Sequence, residues 1–267
     1  KWCFMSKVNM IDGIELSLEK LTVNYNGFHA LDSVDLDVKP GKRVGIIGNN
    51  GAGKSTLFNC ISGLISRDDA IVNGSIMFNS ENVTKTKAYK RSSKKLGRVF
   101  QHPSLCEELT ILENILIGSS EKKSSGILSS VFYPTFFLKN EKNKAKKMMT
   151  DFELDQYEKS NIETLPYATR KIIELARALM GNPKLLLLDE PCASMTDSER
   201  ENYKNLLTIY LQNVSCTLLV IEHDIDFLKS CCEDLLVLDQ GKNIAYGNID
   251  EVLANEEVMN TYYGASI

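Results

Sequence analysis

The chain has 267 residues, of which 43% are hydrophobic and 25% are charged, and these values are ordinary for a folded protein. The composition excludes a collagen-like protein, a disordered tail and a small disulfide-stapled domain, and the length suits one large domain or two small ones. The 31 basic and 35 acidic residues give a net charge of −4. This balance argues against a nucleic-acid partner, because dedicated nucleic-acid binders usually carry a basic domain.

Several features of the sequence predict a location in the cytoplasm. The seven cysteines form no CxxC pair and no Cys/His cluster, so we interpret them as reduced thiols rather than zinc ligands. No apolar run approaches the ~20 residues that span a bilayer. Residues 1–10 contain no signal-peptide core, and we interpret them as a remnant of cloning or of the start site.

The first eighty residues are predicted to form strands around one helix. Apolar residues alternate with polar ones in two registers over 14–25 and again over 31–38, and 74–78 also has a strand pattern. Residues 44–47 are apolar without alternation, which is typical of a strand buried on both faces. A glycine-rich loop follows, and the spacing of apolar residues then predicts a helix over 56–64.

The rest of the chain alternates between helix-length segments and short apolar strands. Residues 102–164 have helix-like segments and few β-branched runs, whereas strand patterns return at 185–188, 217–221 and 235–238. Buried strands that alternate with helices indicate a parallel α/β sheet with crossover connections. The antiparallel opening and the helical segment are therefore additions to an α/β core.

The strongest motif is a loop between the strand at 44–47 and the helix at 56–64. It matches GxxxxGK[ST], with Thr56 directly after it, and consists of Gly48, Asn49, Asn50, Gly51, Ala52, Gly53, Lys54 and Ser55. Glycines let the backbone curl with its N–H groups inward, and these groups attract phosphate together with the helix N-terminus. Lys54 is suited to neutralise the β/γ-phosphates of a nucleotide, and Ser55 is suited to bind Mg²⁺. The alternative is a chance glycine turn before a helix.

Two carboxylates after a later strand predict the opposite side of a nucleotide site. Asp189 and Glu190 follow the four leucines at 185–188, and ligands of open α/β sheets bind at the carboxyl ends of strands. Asp189 is suited to hold Mg²⁺ through water, and Glu190 is suited to polarise the attacking water as a general base. The alternative is a pair of capping carboxylates before Pro191.

With these motifs in this order, the chain resembles the ATP-binding subunits of ABC transporters over about residues 14–264. The resemblance implies an α/β fold of the P-loop NTPase class, with a RecA-like core, an antiparallel β subdomain and a helical insert. It further implies one ATPase domain at 11–267, with the helical subdomain at about 102–164.

The resemblance also assigns roles to single residues. Gln101 is similar to the family's Q-loop glutamine, which senses the γ-phosphate and the metal and contacts the membrane subunit. His223 resembles the switch histidine at the end of a strand. Tyr25 lies where the family stacks an aromatic ring on adenine, although Phe28 is close enough to compete.

A further segment resembles the family's signature loop, which precedes a helix and contacts the γ-phosphate bound to the opposing subunit. The helix is predicted at 170–180, and the segment consists of Leu165, Pro166, Tyr167, Ala168 and Thr169. The Leu-Pro-Tyr opening and the Glu-His-Asp at 222–224 are similar to the ATPases of branched-chain amino-acid and related amide importers. The segments 109–114 and 261–264 share that similarity.

Two segments depart from this subfamily. Ala168 and Thr169 replace its Gly-Gln, and residues 193–196 replace its Ser-Gly-Leu-Asp. A glycine N–H can approach phosphate without a Cβ in the way, so we hypothesise that the chain donates a weakened signature to its partner subunit in a heterodimer. The alternative is that the substitutions are tolerated and both ATP sites work.

Two further segments are unusual in charge. Residues 85–98 contain seven basic residues and no acid, and they fit either a solvated helix face or a contact with anionic lipid headgroups. Residues 124–138 are uncharged and largely apolar. They fit either an interface with a membrane subunit or local packing under the lysine-rich segment at 139–147.

We therefore expect an ATPase that binds ATP and Mg²⁺, closes head to tail on a second ABC ATPase subunit, and drives integral-membrane transporter subunits from the cytoplasmic face of the membrane. The expected cargo is an amino acid or a related small polar solute. Alternatives are the ATPase of a lipid or lipopolysaccharide exporter and a soluble ABC protein of DNA repair or translation. The expected catalytic residues are Lys54, Gln101, Glu190 and His223, and the expected metal ligands are Ser55, Gln101 and Asp189.

Overall fold

The computed structural model describes residues 13–66, 68–119, 135–256 and 258. The strands are β1 (Leu16–Tyr25), β2 (Phe28–Val38), β3 (Arg43–Ile47), β4 (Ile71–Phe78), β5 (Glu81–Asn82), β6 (Leu96–Val99), β7 (Leu185–Asp189), β8 (Thr217–Ile221), β9 (Asp234–Asp239) and β10 (Lys242–Asn248). The helices are α1 (Lys54–Ser62), α2 (Ala88–Ser93), α3 (Ile111–Ile117), α4 (Thr135–Asp151), α5 (Tyr167–Met180), α6 (Asp197–Asn213), α7 (Ile225–Cys231) and α8 (Ile249–Leu253). Two short 3-10 turns cover Asp155–Tyr157 and Ile162–Thr164.

The N-terminal strands form an antiparallel sheet with the order β2-β1-β4-β5. The two registers of the apolar pattern over 14–25 belong to one strand, because the pairing of β1 with β2 shifts between Leu18 and Leu21. Lys20 lies within this irregularity with a φ of +47°. An extra residue in a strand moves the following side chains to the other face, which keeps both apolar sets in the core.

The second sheet has the order β10-β9-β3-β8-β7-β6 and is parallel from β9 to β6, with β10 antiparallel at one edge. The prediction of strands buried on both faces is confirmed in β7, where Leu185 and Leu187 pack with β1, β4 and α1. Leu186 and Leu188 pack on the other face with α5, α6 and α7. A run of apolar residues without alternation is the consequence of covering both faces.

The strand order determines where the predicted site residues gather. The parallel strands β3, β8, β7 and β6 are consecutive neighbours in the sheet, so their carboxyl ends lie at one edge. Gly48 follows β3, His223 follows β8, Glu190 follows β7, and Gln101 follows β6. This edge is where ligands of open α/β sheets bind.

Two helices differ from their predicted bounds. Helix α1 begins at Lys54 and ends before Gly63, whose φ of +73° suits a glycine cap. Helix α5 begins at Tyr167 and not at Arg170, because Pro166 takes the N-cap position and its carbonyl accepts from Arg170 N at 3.1 Å. Tyr167, Ala168 and Thr169 therefore form the first turn of α5 and do not precede it as a loop.

The basic segment 85–98 is not one solvated helix face. It forms α2 and β6, and the side chain of Arg91 is buried against carbonyl groups of α1 and of the preceding loop. Lys85, Lys87 and Lys90 are exposed.

Other predictions fall partly or wholly outside the described residues. Residues 1–10 and most of the apolar segment 124–138 lie there. Within 102–164 the structure describes α3, α4 and the two 3-10 turns, and the bounds of a helical subdomain stay a prediction. None of the described helices is long and apolar enough to cross a bilayer.

Candidate active site

Gly48, Gly51 and Gly53 of the phosphate loop have positive φ, and Gly51 and Gly53 differ in their surroundings. Gly53 has a φ of +101°, and a Cβ on it would lie 2.5 Å from the carbonyl oxygen of Ala30. Gly51 has a φ of +84°, and a Cβ on it would meet nothing within 4 Å. The loop therefore packs closely against β2 at Gly53 and borders open space at Gly51. Helix α1 starts directly after Gly53, so its unpaired N–H groups lie beside that space.

Lys54 lies against the loop that precedes it. Its side chain is largely buried, and Nζ donates to Gly48 O at 2.6 Å and to Asn49 O at 3.1 Å. Burial lowers the pKa of Lys54, while the charges of Glu190 and Asp189 act in the opposite direction. The ammonium group is thus held at the mouth of the loop between backbone oxygens and two nearby carboxylates.

A cavity of about 340 Å³ lies over the loop, within the range of ordinary ligand pockets. Two residues of β2, Phe28 and Ala30, line this cavity. The rest of the lining consists of Asn50, Gly51, Ala52, Gly53, Lys54, Ser55, Thr56, Gln101 and Glu190. The structure therefore brings together the phosphate loop, the residue after β6 and the carboxylate after β7.

The two candidate aromatic residues pair at the end of the hairpin formed by β1 and β2. Phe28 lines the cavity and is 66% exposed. Tyr25 is not part of that lining, and burial raises the pKa of its hydroxyl. Its ring packs on the edge of the core formed by β1, β4 and α1.

Glu190 is held between two side chains from neighbouring strands. Gln101 Nε2 donates to Glu190 Oε2 at 2.7 Å, and His223 Nε2 lies 3.5 Å from Glu190 Oε1. The backbone of Glu190 has a φ of +44°, which is uncommon for a residue other than glycine. Strained backbone of this kind clusters at functional sites, where the surrounding contacts hold it. The arrangement can orient a water molecule and accept its proton.

Asp189 lies behind Glu190 in a more buried position. Its Oδ2 accepts from Arg98 Nη2 at 2.9 Å, and both side chains are 7% exposed. Burial raises the pKa of Asp189, and the hydrogen bond from Arg98 opposes that shift. A buried carboxylate with a paired guanidinium remains an acceptor for one further ligand.

The predicted metal ligands suit Mg²⁺ in their chemistry. Ser55, Gln101 and Asp189 offer a hydroxyl, an amide oxygen and a carboxylate, which are the hard oxygen donors that Mg²⁺ prefers. In the described parts of the chain, no group of three or more His, Cys, Asp or Glu side chains is arranged so that it could hold a metal ion by itself. Mg²⁺ is commonly bound by one or two carboxylates together with substrate phosphates, so this donor set fits a cation that arrives with a nucleotide.

Most of the predicted signature segment lies apart from this cavity. Leu165, Ala168 and Thr169 are buried in their own helical region, and Pro166 is exposed. Tyr167 is the exception, because its hydroxyl donates to the backbone oxygen of Gln101 at 3.0 Å. The segment therefore touches the site of its own chain only through the backbone after β6.

Several residues at the site were not found from the sequence. Lys171 Nζ donates to Phe100 O at 2.6 Å and to Gln101 O at 3.1 Å, although it lies in a helix whose polar positions would ordinarily face solvent. Glu222 is buried and accepts from the backbone N–H groups of Cys192 and His223 at 2.8 and 3.0 Å. Arg98 is a charge within β6 and Glu222 is a charge directly after β8, and these positions were the only signal in the sequence.

A second cavity of about 510 Å³, called the side groove below, lies between α1, α2, β6 and the ends of α3 and α5. Its lining includes Leu64, Tyr89, Arg98, Phe100, Ile117 and Arg177. Leu64, Tyr89 and Ile117 are large apolar side chains that are exposed. Exposed apolar groups that lie together often mark an interface.

Comparison with known proteins gives consistent similarities. Residues 31–193 match the family described as ABC transporter. The chain is 29% identical to the high-affinity branched-chain amino acid transport ATP-binding protein BraF of Pseudomonas aeruginosa, over 93% of this chain and 97% of that protein. It is 33% identical to the probable branched-chain amino acid transport ATP-binding protein LivG of Methanocaldococcus jannaschii, over 96% of this chain and all of that protein. A solved structure of the ADP conformation of MJ1267, an ATP-binding cassette of an ABC transporter, is similar with a TM-score of 0.76 and 31% identity, over 94% of this chain and 99% of that one.

Proposed function

The chain belongs to the ABC transporter family, and from that membership we propose that it powers the uptake of an amino acid or a related small polar solute across a membrane. It is an ATP-binding subunit with ATPase activity and has the predicted P-loop NTPase fold of ABC ATPases. The support for the solute is the similarity over most of the chain to relatives named for branched-chain amino acid transport.

The observation that carries the catalytic proposal is the position of Glu190. Its carboxylate lines the same cavity as Lys54 and the phosphate loop, and Gln101 and His223 hold its two oxygens. A general base must lie within hydrogen-bond reach of the water that it deprotonates. Glu190 is therefore assigned as the base, with Gln101 and His223 as the side chains that orient it.

The proposed reaction is attack of water on the γ-phosphorus of ATP. Glu190 accepts a proton from the water, a bond forms between the water oxygen and phosphorus, and the bond to the β,γ-bridging oxygen breaks to release ADP. Lys54 and the loop N–H groups stabilise charge on the phosphate oxygens. Mg²⁺, when bound through Ser55, Gln101 and Asp189, would neutralise further negative charge on these oxygens.

We further propose that two ATPase subunits close head to tail with nucleotide between them. The residues of the signature segment other than Tyr167 do not bond to the site of their own chain, which fits a role toward a second chain. Helix α5 begins within this segment, and the backbone N–H groups at the N-terminus of a helix bind phosphate favourably. Ala168 stands where a glycine would leave that approach open, which supports a weakened contact.

The side groove is the proposed contact with the integral-membrane subunits. It combines exposed apolar side chains with Arg98 and Arg177 and lies beside β6, the strand that leads to Gln101. An amphipathic helix binds such grooves through its apolar face. Occupancy by a membrane subunit would hold this chain at the cytoplasmic face of the membrane as a peripheral protein.

Substitution of Glu190 tests the catalytic assignment. Glu190→Gln keeps the size of the side chain and removes the base, so the rate of ATP hydrolysis should fall on the order of 10²- to 10⁴-fold while ATP binding is retained. Glu251→Gln makes the same chemical change at an exposed position of α8 and should leave hydrolysis unchanged. Equal rates for Glu190→Gln and the unmodified protein would refute the assignment.

Purification in mild detergent tests the transport proposal. An integral-membrane subunit should co-purify. Proteoliposomes that contain the complex and enclose ATP should accumulate radiolabelled leucine, isoleucine or valine when the solute and its binding protein are outside. Outward movement of a lipid would favour an exporter instead. A complex without any membrane subunit would contradict a role in transport.

A further inference from the structure

Arg98 connects the candidate metal carboxylate to the helix after the phosphate loop. Its Nη2 donates to Asp189 Oδ2 at 2.9 Å. Its Nη1 donates to Asn59 Oδ1 at 2.8 Å and to Ser62 Oγ at 2.6 Å, and both of these residues belong to α1. One side chain therefore ties the end of β7 to α1.

Burial makes this network costly to break. The side chain of Arg98 is 7% exposed, and its guanidinium carbon lies 4.6 Å from the ring centroid of Phe100 and 5.8 Å from that of Phe58. A buried ion pair that loses one partner leaves an uncompensated charge in the interior. The guanidinium donates in a fixed planar geometry, so these contacts also fix the orientation of the Asp189 carboxylate.

The same guanidinium forms part of the side groove. Arg98 and Phe100 line that groove, whereas Glu190, the residue directly after Asp189, lines the nucleotide cavity. Arg98 therefore lines the side groove and also binds Asp189, the neighbour in sequence of a residue that lines the nucleotide cavity. Arg98 uses Oδ2 of Asp189, which leaves Oδ1 to accept from a water bound to a cation.

We propose that Arg98 is a positioning residue that fixes Asp189 for the divalent cation of bound ATP and links this cation site to occupancy of the side groove. The inference rests on the proposed function, because it needs an ATP-bound cation and a membrane subunit in the groove. A helix of the membrane subunit in the groove packs against Arg98 and Phe100, and it thereby restricts movement of the ion pair between Arg98 and Asp189. Since coupling is reciprocal, a bound cation then strengthens docking by the same factor.

The test is a comparison of nucleotide affinity with and without a cation. A fluorescent ATP analogue is titrated into the full chain in EDTA and then in Mn²⁺, which stands in for Mg²⁺. The dissociation constant in EDTA divided by the dissociation constant in Mn²⁺ is called the cation gain. In Arg98→Lys the affinity in EDTA should stay unchanged, and the cation gain should fall on the order of 10- to 100-fold, as for other groups that orient metal ligands.

Two further variants keep the test decisive. Arg43→Lys is the matched control, because Arg43 is a half-buried arginine on β3 whose Nη2 donates to Leu211 O, remote from the site. It should keep the full cation gain. If Arg98→Lys fails to fold, the double variant Asn59→Ala/Ser62→Ala removes the anchors in α1 and retains the ion pair. It should lose part of the cation gain at constant affinity in EDTA.

The second part of the test addresses the side groove. The cation gain of the unmodified protein should be larger in the complex with its membrane subunit than in the isolated chain. In Arg98→Lys the two values should coincide. A partner effect that persists undiminished in Arg98→Lys would overturn the link to the groove.

The outcomes separate this inference from the function on which it rests. If the unmodified chain shows no cation gain, the proposed ATP and cation site is itself wrong. If the unmodified chain shows the gain and the Arg98→Lys and Asn59→Ala/Ser62→Ala variants keep all of it, only the positioning role of Arg98 is overturned.

Discussion

Gln101 Nε2 donates a hydrogen bond of 2.7 Å to Glu190 Oε2, and this bond joins the residues that follow two neighbouring parallel strands. The backbone oxygen of Gln101 in turn accepts from Tyr167 and Lys171 of α5. The orientation of the candidate general base therefore depends on a helix whose first turn carries the signature segment. A change at the start of α5 can reach Glu190 through a single intervening residue.

Removal of the Gln101 side chain should slow hydrolysis without abolishing ATP binding. Gln101→Ala deletes the donor that holds Glu190 Oε2, and a misplaced base costs on the order of 10- to 100-fold in kcat. Gln101→Ala should slow Glu190→Gln far less than it slows the unmodified protein, because the contact that orients the carboxylate is already lost and only the proposed Mg²⁺ contact of Gln101 remains to be removed. Steady-state kinetics of the four proteins measures this coupling.

The matched control for this cycle is Gln156→Ala, which truncates an exposed glutamine in a 3-10 turn. Its kcat should equal that of the unmodified protein. Independent, additive losses for Gln101→Ala and Glu190→Gln would show that Gln101 acts on ATP without orienting Glu190.

Tyr25 should contribute more to ATP affinity than Phe28. Packing of its ring against the core formed by β1, β4 and α1 fixes Tyr25, and a fixed ring loses less entropy when a base stacks on it. Tyr25→Ala should raise the Kd for ATP by about 5- to 100-fold, the usual value of one base–aromatic stack. Isothermal titration calorimetry measures this change.

Two comparisons qualify the prediction for Tyr25. Tyr25→Phe keeps the ring and should retain most of the affinity, and Phe28→Ala should have a small effect although Phe28 lines the cavity. The opposite ranking, with Phe28→Ala the more damaging change, would assign the stacking role to Phe28.

The sequence allowed the prediction of those features that depend on local pattern. The phosphate loop needs glycines at fixed spacing, and β7 needs apolar side chains on both faces, so each was visible in a short window. The partners of Arg98 were not visible, because Asp189 and Asn59 lie far from it along the chain. Lys171 was equally hidden, since a polar residue in an amphipathic helix is expected at the surface, whereas this one is fully buried. Charges inside apolar elements indicated that a partner exists but did not identify it.

Five of the cysteines should be protected from alkylation in the folded protein. Burial raises the pKa of Cys60 and of Cys216 to about 12, and it also raises the pKa of Cys192 and of Cys232. Since the thiolate is the reactive form, alkylation of these thiols at pH 8 should be slow. Cys231 is buried as well, whereas Cys106 is exposed.

A short pulse of iodoacetamide at pH 8, followed by peptide mass spectrometry, checks this pattern. Cys106 should be labelled at once, and the five buried cysteines should be labelled only in denaturant. Cys106→Ser should remove the fast site in the described part of the chain. Rapid labelling of Cys60 or Cys216 in the native protein would mean that the region around α1 or β8 opens readily.

Restoration of glycine and glutamine in the signature segment should raise ATP turnover by the assembled transporter. Ala168 and Thr169 lie in the first turn of α5, and both side chains are buried in the chain's own interior. A gain in turnover would come from closer approach of the backbone to phosphate at the glycine and from the longer side chain of the glutamine. Ala168→Gly/Thr169→Gln should also lower the free energy of unfolding by about 1 kcal/mol, because glycine is a poor helix former.

Ala176→Gly separates these two effects. It makes the same backbone change in a later turn of α5, at a buried position outside both cavities, so it should cost at least as much stability and leave turnover unchanged. Turnover is measured on the complete complex, since the signature is proposed to act on the nucleotide of the partner subunit. An unchanged rate for Ala168→Gly/Thr169→Gln in a folded, fully assembled complex would show that the native segment already serves the opposing site. The hypothesis of a weakened signature would then be wrong.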